Sequence, residues 1–137
     1  MKRHASANWL GAGKDGKGTL TSQSGVLSQT QYSFNSRFAE GTGTNPEELV
    51  AAAHAGCFSM KLSFTIGEAG FTPEEINTKA TLTFEDGVIT DIHLDAEVRV
   101  PGMDNDKFQA AAQDAKENCP ISKLLNTNIT MDAALEG

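Results

Sequence analysis

The stretch Asn45–Gly70, NPEELVAAAHAGCFSMKLSFTIGEAG, constrains this chain more than any other, because it reads as one long helix without a solvent-facing side. Asn45 is placed to cap the free amides, Pro46 suits the first helical position, and Glu48 at the third completes a capping-box pattern. Glu47 and Glu48 set negative charge against the positive end of the helix dipole. From Leu49 to Met60 only His54 and Ser59 are polar, and a helix that is apolar all round is expected to be buried all round. Four alanines and Gly56 keep it thin enough for another backbone to approach closely. It reads as too short, and too interrupted by Lys61, Ser63 and Glu68, to span a bilayer. Gly67 and Gly70 supply the stop.

Around this helix the pattern is mostly strand. Lys2–Trp9, Gly25–Leu27 and Gln31–Phe38 read as short strands, with a turn at Gly11–Gly18 and a Gly-rich loop at Glu40–Thr44. Asn77–Phe84 and Val88–Val100 alternate strongly: Ile92, Leu94, Ala96, Val98 and Val100 share one face, while His93, Asp95, Glu97 and Arg99 share the other. Asp86-Gly87 between them is a two-residue hairpin signal. Asp104 or Asn105 caps a second helix to about Asn118, with Phe108, Ala111, Ala112 and Ala115 on its apolar side. Cys119-Pro120 breaks it, a short helical turn runs through Leu125, and Ile129, Met131, Ala133 and Leu135 alternate in a closing strand. The expected class is α+β, antiparallel sheet around a central buried helix, as a single domain over residues 1–137.

Composition narrows the partners. A net charge of −7 opposes nucleic acid and anionic membrane surfaces. Hydrophobic content of 39% is modest for 137 residues, which suggests that a partner completes part of the core. Met1–His4 is basic but no apolar run follows, so no export signal is expected and the compartment reads as a reducing cytoplasm.

Few groups can carry chemistry. Cys57, in the middle of the long helix, taken alone reads as a small buried hydrophobe. Cys119, just before Pro120, stands as a helix N-cap, where free amides favour a thiolate; it is either a good leaving group in disulfide exchange or an accidental cap. Arg37 and Glu47 flank the Gly-rich loop, and spacing alone makes them a surface ion pair. His54 lies three residues before Cys57 on the same face, either as a packing histidine or as an aid to the thiol. Phosphate, zinc and calcium sites are not expected. GAGKDGKG leads into a strand and has Gly18 where a phosphate loop has Ser or Thr; the cysteines and histidines do not converge as metal ligands; Asp104-Asn105-Asp106 lacks the glycine and final glutamate of a calcium loop.

At these residues the sequence resembles the OsmC family of osmotically inducible peroxidases, grouped with the organic hydroperoxide resistance proteins. The resemblance rests on Phe34-Asn35-Ser36-Arg37-Phe38, Gly43-Thr44-Asn45-Pro46-Glu47-Glu48-Leu49 and Ala52-Ala53-His54-Ala55-Gly56-Cys57-Phe58-Ser59, followed in order by Gly67-Glu68-Ala69-Gly70-Phe71-Thr72 and Asn118-Cys119-Pro120-Ile121-Ser122. It covers essentially the whole chain. It implies an intertwined homodimer and a two-cysteine peroxidase with no cofactor, acting on organic hydroperoxides and recycled by an external dithiol reductant. It implies that Cys57 is the peroxidatic cysteine, Cys119 the resolving one, and Arg37 with Glu47 the polar pair that tunes Cys57. Arg37 in its Asn-Ser-Arg-Phe setting fits the OsmC branch; the loop from which the other branch draws its arginine holds only Lys14 and Lys17 here. The alternative is a non-enzymatic dithiol redox sensor or a stress-associated binding protein.

Helix geometry adds one expectation. Glu47 and Cys57 are 10 residues apart, roughly 15 Å along one axis and on different faces. A glutamate does not reach that far, so the implied arginine–glutamate–cysteine site is expected to form across a two-fold dimer, with Glu47 and Arg37 serving the partner's Cys57.

Overall fold

The long helix forms where its signals place it, and its cap is made as the sequence suggests. In the computed structural model, which describes residues 1–39 and 41–136, α2 runs Pro46–Glu68. Asn45 Oδ1 accepts from the Glu48 backbone N–H at 2.8 Å, and Asn45 Nδ2 donates to Glu48 Oε1 at 3.4 Å. The chain divides into two compact units, Met1–Leu49 and Val50–Gly137, with α2 beginning in the first and continuing in the second.

The first unit is a three-stranded antiparallel sheet of β1 (Ala5–Leu10), β2 (Lys17–Ser22) and β3 (Thr30–Ser33), followed by the short helix α1 (Phe34–Phe38). Two sequence expectations change here. Gly25–Leu27 is a bend between strands, because Gly25 at φ 82° and Gln29 at φ 49° take left-handed backbone that a strand cannot hold. The Gln31–Phe38 strand stops at Ser33, which caps α1. Ser33 Oγ accepts from the Ser36 N–H at 3.2 Å, and Ser36 Oγ accepts from the Ser33 N–H at 2.7 Å. Gly18 sits in β2 and not in a phosphate loop. A Cβ there would lie 2.5 Å from the Asn8 carbonyl and within 3 Å of Tyr32 and Trp9, whose rings pack 5.3 Å apart. Of the Glu40–Thr44 loop, Glu40 lies outside the described residues; Thr44 bridges to Tyr32.

In the second unit, β4 (Glu75–Glu85) and β5 (Val88–Arg99) pair antiparallel through the expected Asp86-Gly87 turn, both residues at positive φ (51° and 77°). Helix α3 (Asn105–Asn118) is capped by Asp104, whose carboxylate accepts from the Lys107 N–H at 2.9 Å. Helix α4 (Pro120–Leu124) follows, and β6 (Asn128–Glu136) closes the sheet in the order β4-β5-β6. The architecture is α+β, with one departure from the antiparallel expectation: β6 lies parallel to β5. A parallel neighbour needs a crossover, and α3 with α4 supplies it.

The core of this unit takes Ile92, Leu94, Ala96, Val98 and Val100 from β5, Phe108, Ala111, Ala112 and Ala115 from α3, and Phe58, Leu62 and Ile66 from α2. Ala111 and its small neighbours let α3 come close to α2, where Thr65 Oγ1 donates to the Ala111 carbonyl at 3.0 Å. Only one stripe of α2, His54, Phe58, Leu62, Thr65 and Ile66, is buried, so the expectation of burial all round fails within one chain. Met60 and Phe64 are 67% and 63% exposed, and Ala52, Ala53 and Gly56 are also open. Length does not exclude a membrane span as the sequence suggested: α2 has 23 residues and an 18-residue window of mean hydropathy 1.3, of which 28% is buried.

Candidate active site

Three groups of side chains emerge, two in the second unit and one in the first. In the second unit the chain end of α3 and the start of α4 meet at Cys119. Its N–H donates to the Ala115 carbonyl at 3.0 Å, closing α3, while its side chain caps α4 by accepting from the Ser122 N–H at 3.4 Å. Pro120 at the first turn of α4 forces this change of direction, since it cannot continue α3. Cys119 is fully buried and Cys57 half-buried, and both are free thiols.

The two cysteines are neighbours. Burial pushes the Cys57 thiol above its ordinary value, a backbone hydrogen bond from Ile121 pulls it down, and Cys119 raises it again through a hydrogen bond and through charge. Ile121 and Cys119, the groups that act on the Cys57 thiol here, both lie in Val50–Gly137. His54 belongs to the same cluster. It is wholly buried on α2, and its Nε2 lies 2.8 Å from Ser122 Oγ, which is in turn 3.2 Å from Cys119 Sγ. Burial lowers the His54 pKa, leaving a neutral imidazole at neutral pH, and its Nδ1 has no partner among the described residues. Ser122 was singled out by no chemical argument from sequence. The signal was present, for it stands three residues after a capping cysteine, where a backbone N–H and a hydroxyl both turn back to the cap.

In the first unit, Arg37 is carried by α1 and Glu47 by the first turn of α2. Arg37 Nε donates to Glu47 Oε1 at 2.6 Å, with Glu47 the more buried partner, and the guanidinium lies 5.1 Å from the Phe38 ring centroid. Asn45 ties the two elements together by donating from Nδ2 to the Ser36 carbonyl at 2.9 Å. Arg37 also borders a cavity of about 500 Å³ whose walls are mainly the aromatic rings of Trp9, Tyr32, Phe34 and Phe38, with Lys14 at its edge. The sequence reading did not anticipate this cavity, because its rings come from separate strands and from a helix that had been read as strand.

A third group lies on the polar face of the second sheet. His93 Nε2 is 3.3 Å from Asp95 and 3.2 Å from Asp132, and these potential ligand atoms fall within 4.8 Å of one another. The carboxylates are solvent-exposed, and His93 Nδ1 is held by Thr130 at 2.6 Å. His93 thus pairs across the sheet with Thr130 and Asp132 and along its own strand with Asp95.

Comparison with known proteins agrees with the fold. A family model described as OsmC-like protein matches residues 39–134, which run across the boundary between the two units. The chain is 49% identical over 140 aligned positions to Peroxiredoxin OsmC of Escherichia coli K12, covering 99% of this chain and 98% of that protein. It is 32% identical over 122 positions to the organic hydroperoxide resistance protein OhrB of Bacillus subtilis, covering 87% and 89%. The crystal structure of that OhrB superposes with a TM-score of 0.64 over 97% of this chain and 98% of its own. An OsmC-like protein from Mycoplasma pneumoniae, at 14% identity, shares the fold with a TM-score of 0.79 over 100% and 99%.

Proposed function

The chain belongs to the OsmC family, and on that premise we propose that it is a thiol peroxidase that reduces organic hydroperoxides to alcohols through Cys57 and Cys119. The observation that carries the proposal is the adjacency of two free thiols, one half-buried and one fully buried at a helix cap. The Cys57 thiolate attacks the terminal oxygen of ROOH, the O–O bond breaks, the alcohol leaves and Cys57 becomes a sulfenic acid. Cys119 condenses with that sulfenic acid, expelling water and forming a disulfide before further peroxide can overoxidise Cys57. An external dithiol then reduces the disulfide. No metal, haem or flavin takes part in this scheme.

Burial raises the Cys57 thiol, and a cation beside it would favour the thiolate. Arg37 suits the task, because its planar fork can hold a thiolate and a peroxide oxygen together, while Glu47 orients it. We assign these two residues to the Cys57 of a partner chain in a homodimer that covers the open face of α2. The small Ala52, Ala53 and Gly56 and the exposed Met60 and Phe64 suit close packing of two such helices. The two units of each chain then work as one OsmC-like domain in a cytoplasmic dimer. The aromatic cavity beside Arg37 supports an alkyl or aryl hydroperoxide over hydrogen peroxide, since only the former has a body to fill it.

The test is turnover. With excess dithiothreitol or dihydrolipoamide, the protein is expected to consume many equivalents of cumene hydroperoxide, and hydrogen peroxide more slowly. Oxidation that stops at one equivalent per chain would instead mark a dithiol sensor and overturn the peroxidase reading.

A further inference from the structure

Cys119 poses a problem of proton transfer. To close the disulfide it must attack as a thiolate, yet its side chain has no contact with solvent through which to lose a proton. Apart from the Cys57 thiol it is to attack, the polar contacts of its sulfur among the described residues are both made by Ser122: the backbone N–H at 3.4 Å, which can only donate, and the hydroxyl at 3.2 Å, which can also accept. The Ser122 hydroxyl continues to His54 Nε2 at 2.8 Å. A thiol, a hydroxyl and an imidazole therefore form a hydrogen-bonded chain, whose hydroxyl–imidazole link joins residues 68 apart in sequence.

The imidazole has the marks of a group kept for more than packing. It is fully buried, where a side chain without polar atoms would fill the space at lower cost. Its Nδ1 is left without a hydrogen-bond partner among the described residues, and its Nε2 is held by Ser122. Its depressed pKa leaves it uncharged and able to accept a proton at neutral pH.

We propose that Ser122 and His54 form a proton relay for the resolving step, with Ser122 the catalytic residue in contact with Cys119 and His54 a positioning residue that accepts the proton through it. The inference rests on the peroxidase reading above. In the step, Cys119 Sγ gives its proton to Ser122 Oγ as Ser122 passes its own to His54 Nε2. The electron pair left on Cys119 forms the S–S bond with Cys57, and the S–O bond of the sulfenic acid breaks. The departing oxygen takes up the proton that Cys119 released, handed back from His54 by the Ser122 hydroxyl, and leaves as water. The only oxidant consumed is the organic hydroperoxide that made the sulfenic acid.

Rapid mixing of the reduced, full-length protein with one equivalent of cumene hydroperoxide separates the steps, with dimedone trapping of the sulfenic acid and mass spectrometry of the disulfide. Ser122→Ala and His54→Gln are expected to slow disulfide closure at least tenfold while slowing Cys57 oxidation less than threefold, and Ser122→Thr, which keeps the hydroxyl, to close faster than Ser122→Ala. His54→Gln can hold Ser122 by a hydrogen bond but cannot take its proton. Wild-type-like closure in His54→Gln would reduce His54 to scaffolding and overturn the relay. Closure slowed less than tenfold in Ser122→Ala, or oxidation and closure slowed alike, would overturn it as well. A wild-type protein that forms no sulfenic acid would instead defeat the peroxidase reading on which the relay stands.

Discussion

Replacing Phe64 by alanine tests whether the open face of α2 is a dimer core. Phe64 is 63% exposed in the single chain. For a side chain of roughly 200 Å² that leaves about 130 Å² of ring in water, equivalent to about 3 kcal/mol if a partner covers it. A two-fold interface contains the residue twice, so complete cover contributes about 6 kcal/mol, and alanine, which keeps roughly a third of the area, forfeits about 4 kcal/mol. That loss weakens the dimer about a thousandfold. The isolated chain has little to lose, because the ring makes few contacts within it and alanine is the better helix former. Size-exclusion chromatography with light scattering over a dilution series reads the result. The wild type is expected to hold a dimeric mass down to submicromolar concentration, where Phe64→Ala dissociates, with an unchanged far-ultraviolet dichroism spectrum. A wild-type protein that is monomeric at micromolar concentration, or a Phe64→Ala variant that dissociates no more readily than wild type, would refute the reasoning.

Mixed dimers test the shared site: Glu47→Ala and Cys57→Ser chains, each inactive alone, are expected to recover about half of wild-type peroxidase activity when combined, because one of two sites is then intact. No recovery in demonstrated heterodimers would return the site to one chain. Cys119→Ser is expected to permit one oxidation and then to accumulate sulfinic Cys57, visible as two added oxygens by mass spectrometry, whereas wild type cycles. Burial of His54 depresses its folded-state pKa below 6.5, so the unfolded chain binds more protons just below that value. Its contribution to stability is present above pH 6.5 and lost as pH falls, at up to about 1.4 kcal/mol per pH unit. Denaturant titrations of wild type and His54→Gln between about pH 5 and about pH 7.5 should show the slope flatten in the variant, and parallel slopes would argue against a buried neutral imidazole.

The parts legible in the sequence were those governed by local interactions. The cap at Asn45–Glu48, the alternation of Ile92 to Val100, the Asp86-Gly87 turn and the cap at Asp104 each depend on residues a few positions apart, and each forms as the pattern indicates. The motifs around Arg37, Cys57 and Cys119 pointed to the OsmC family because they recur as linear strings of sequence. What the sequence missed locally was a helix start, at Ser33, where two serines cap each other and outweigh the strand propensity of the residues around them.

Tertiary structure decided the rest. The parallel pairing of β6 with β5 follows from a crossover through α3 and α4, which no alternation pattern records. The apolar circumference of α2 stated how much of the helix had to be covered but not by what; packing shows that its own chain covers one stripe and leaves Met60 and Phe64 open. Ser122 joins His54 to Cys119 only because α2 and α4, distant in sequence, meet there. Hydrogen bonds between such elements depend on where the core sets each backbone, and that placement is a property of all the packed side chains together, not of any one stretch of sequence.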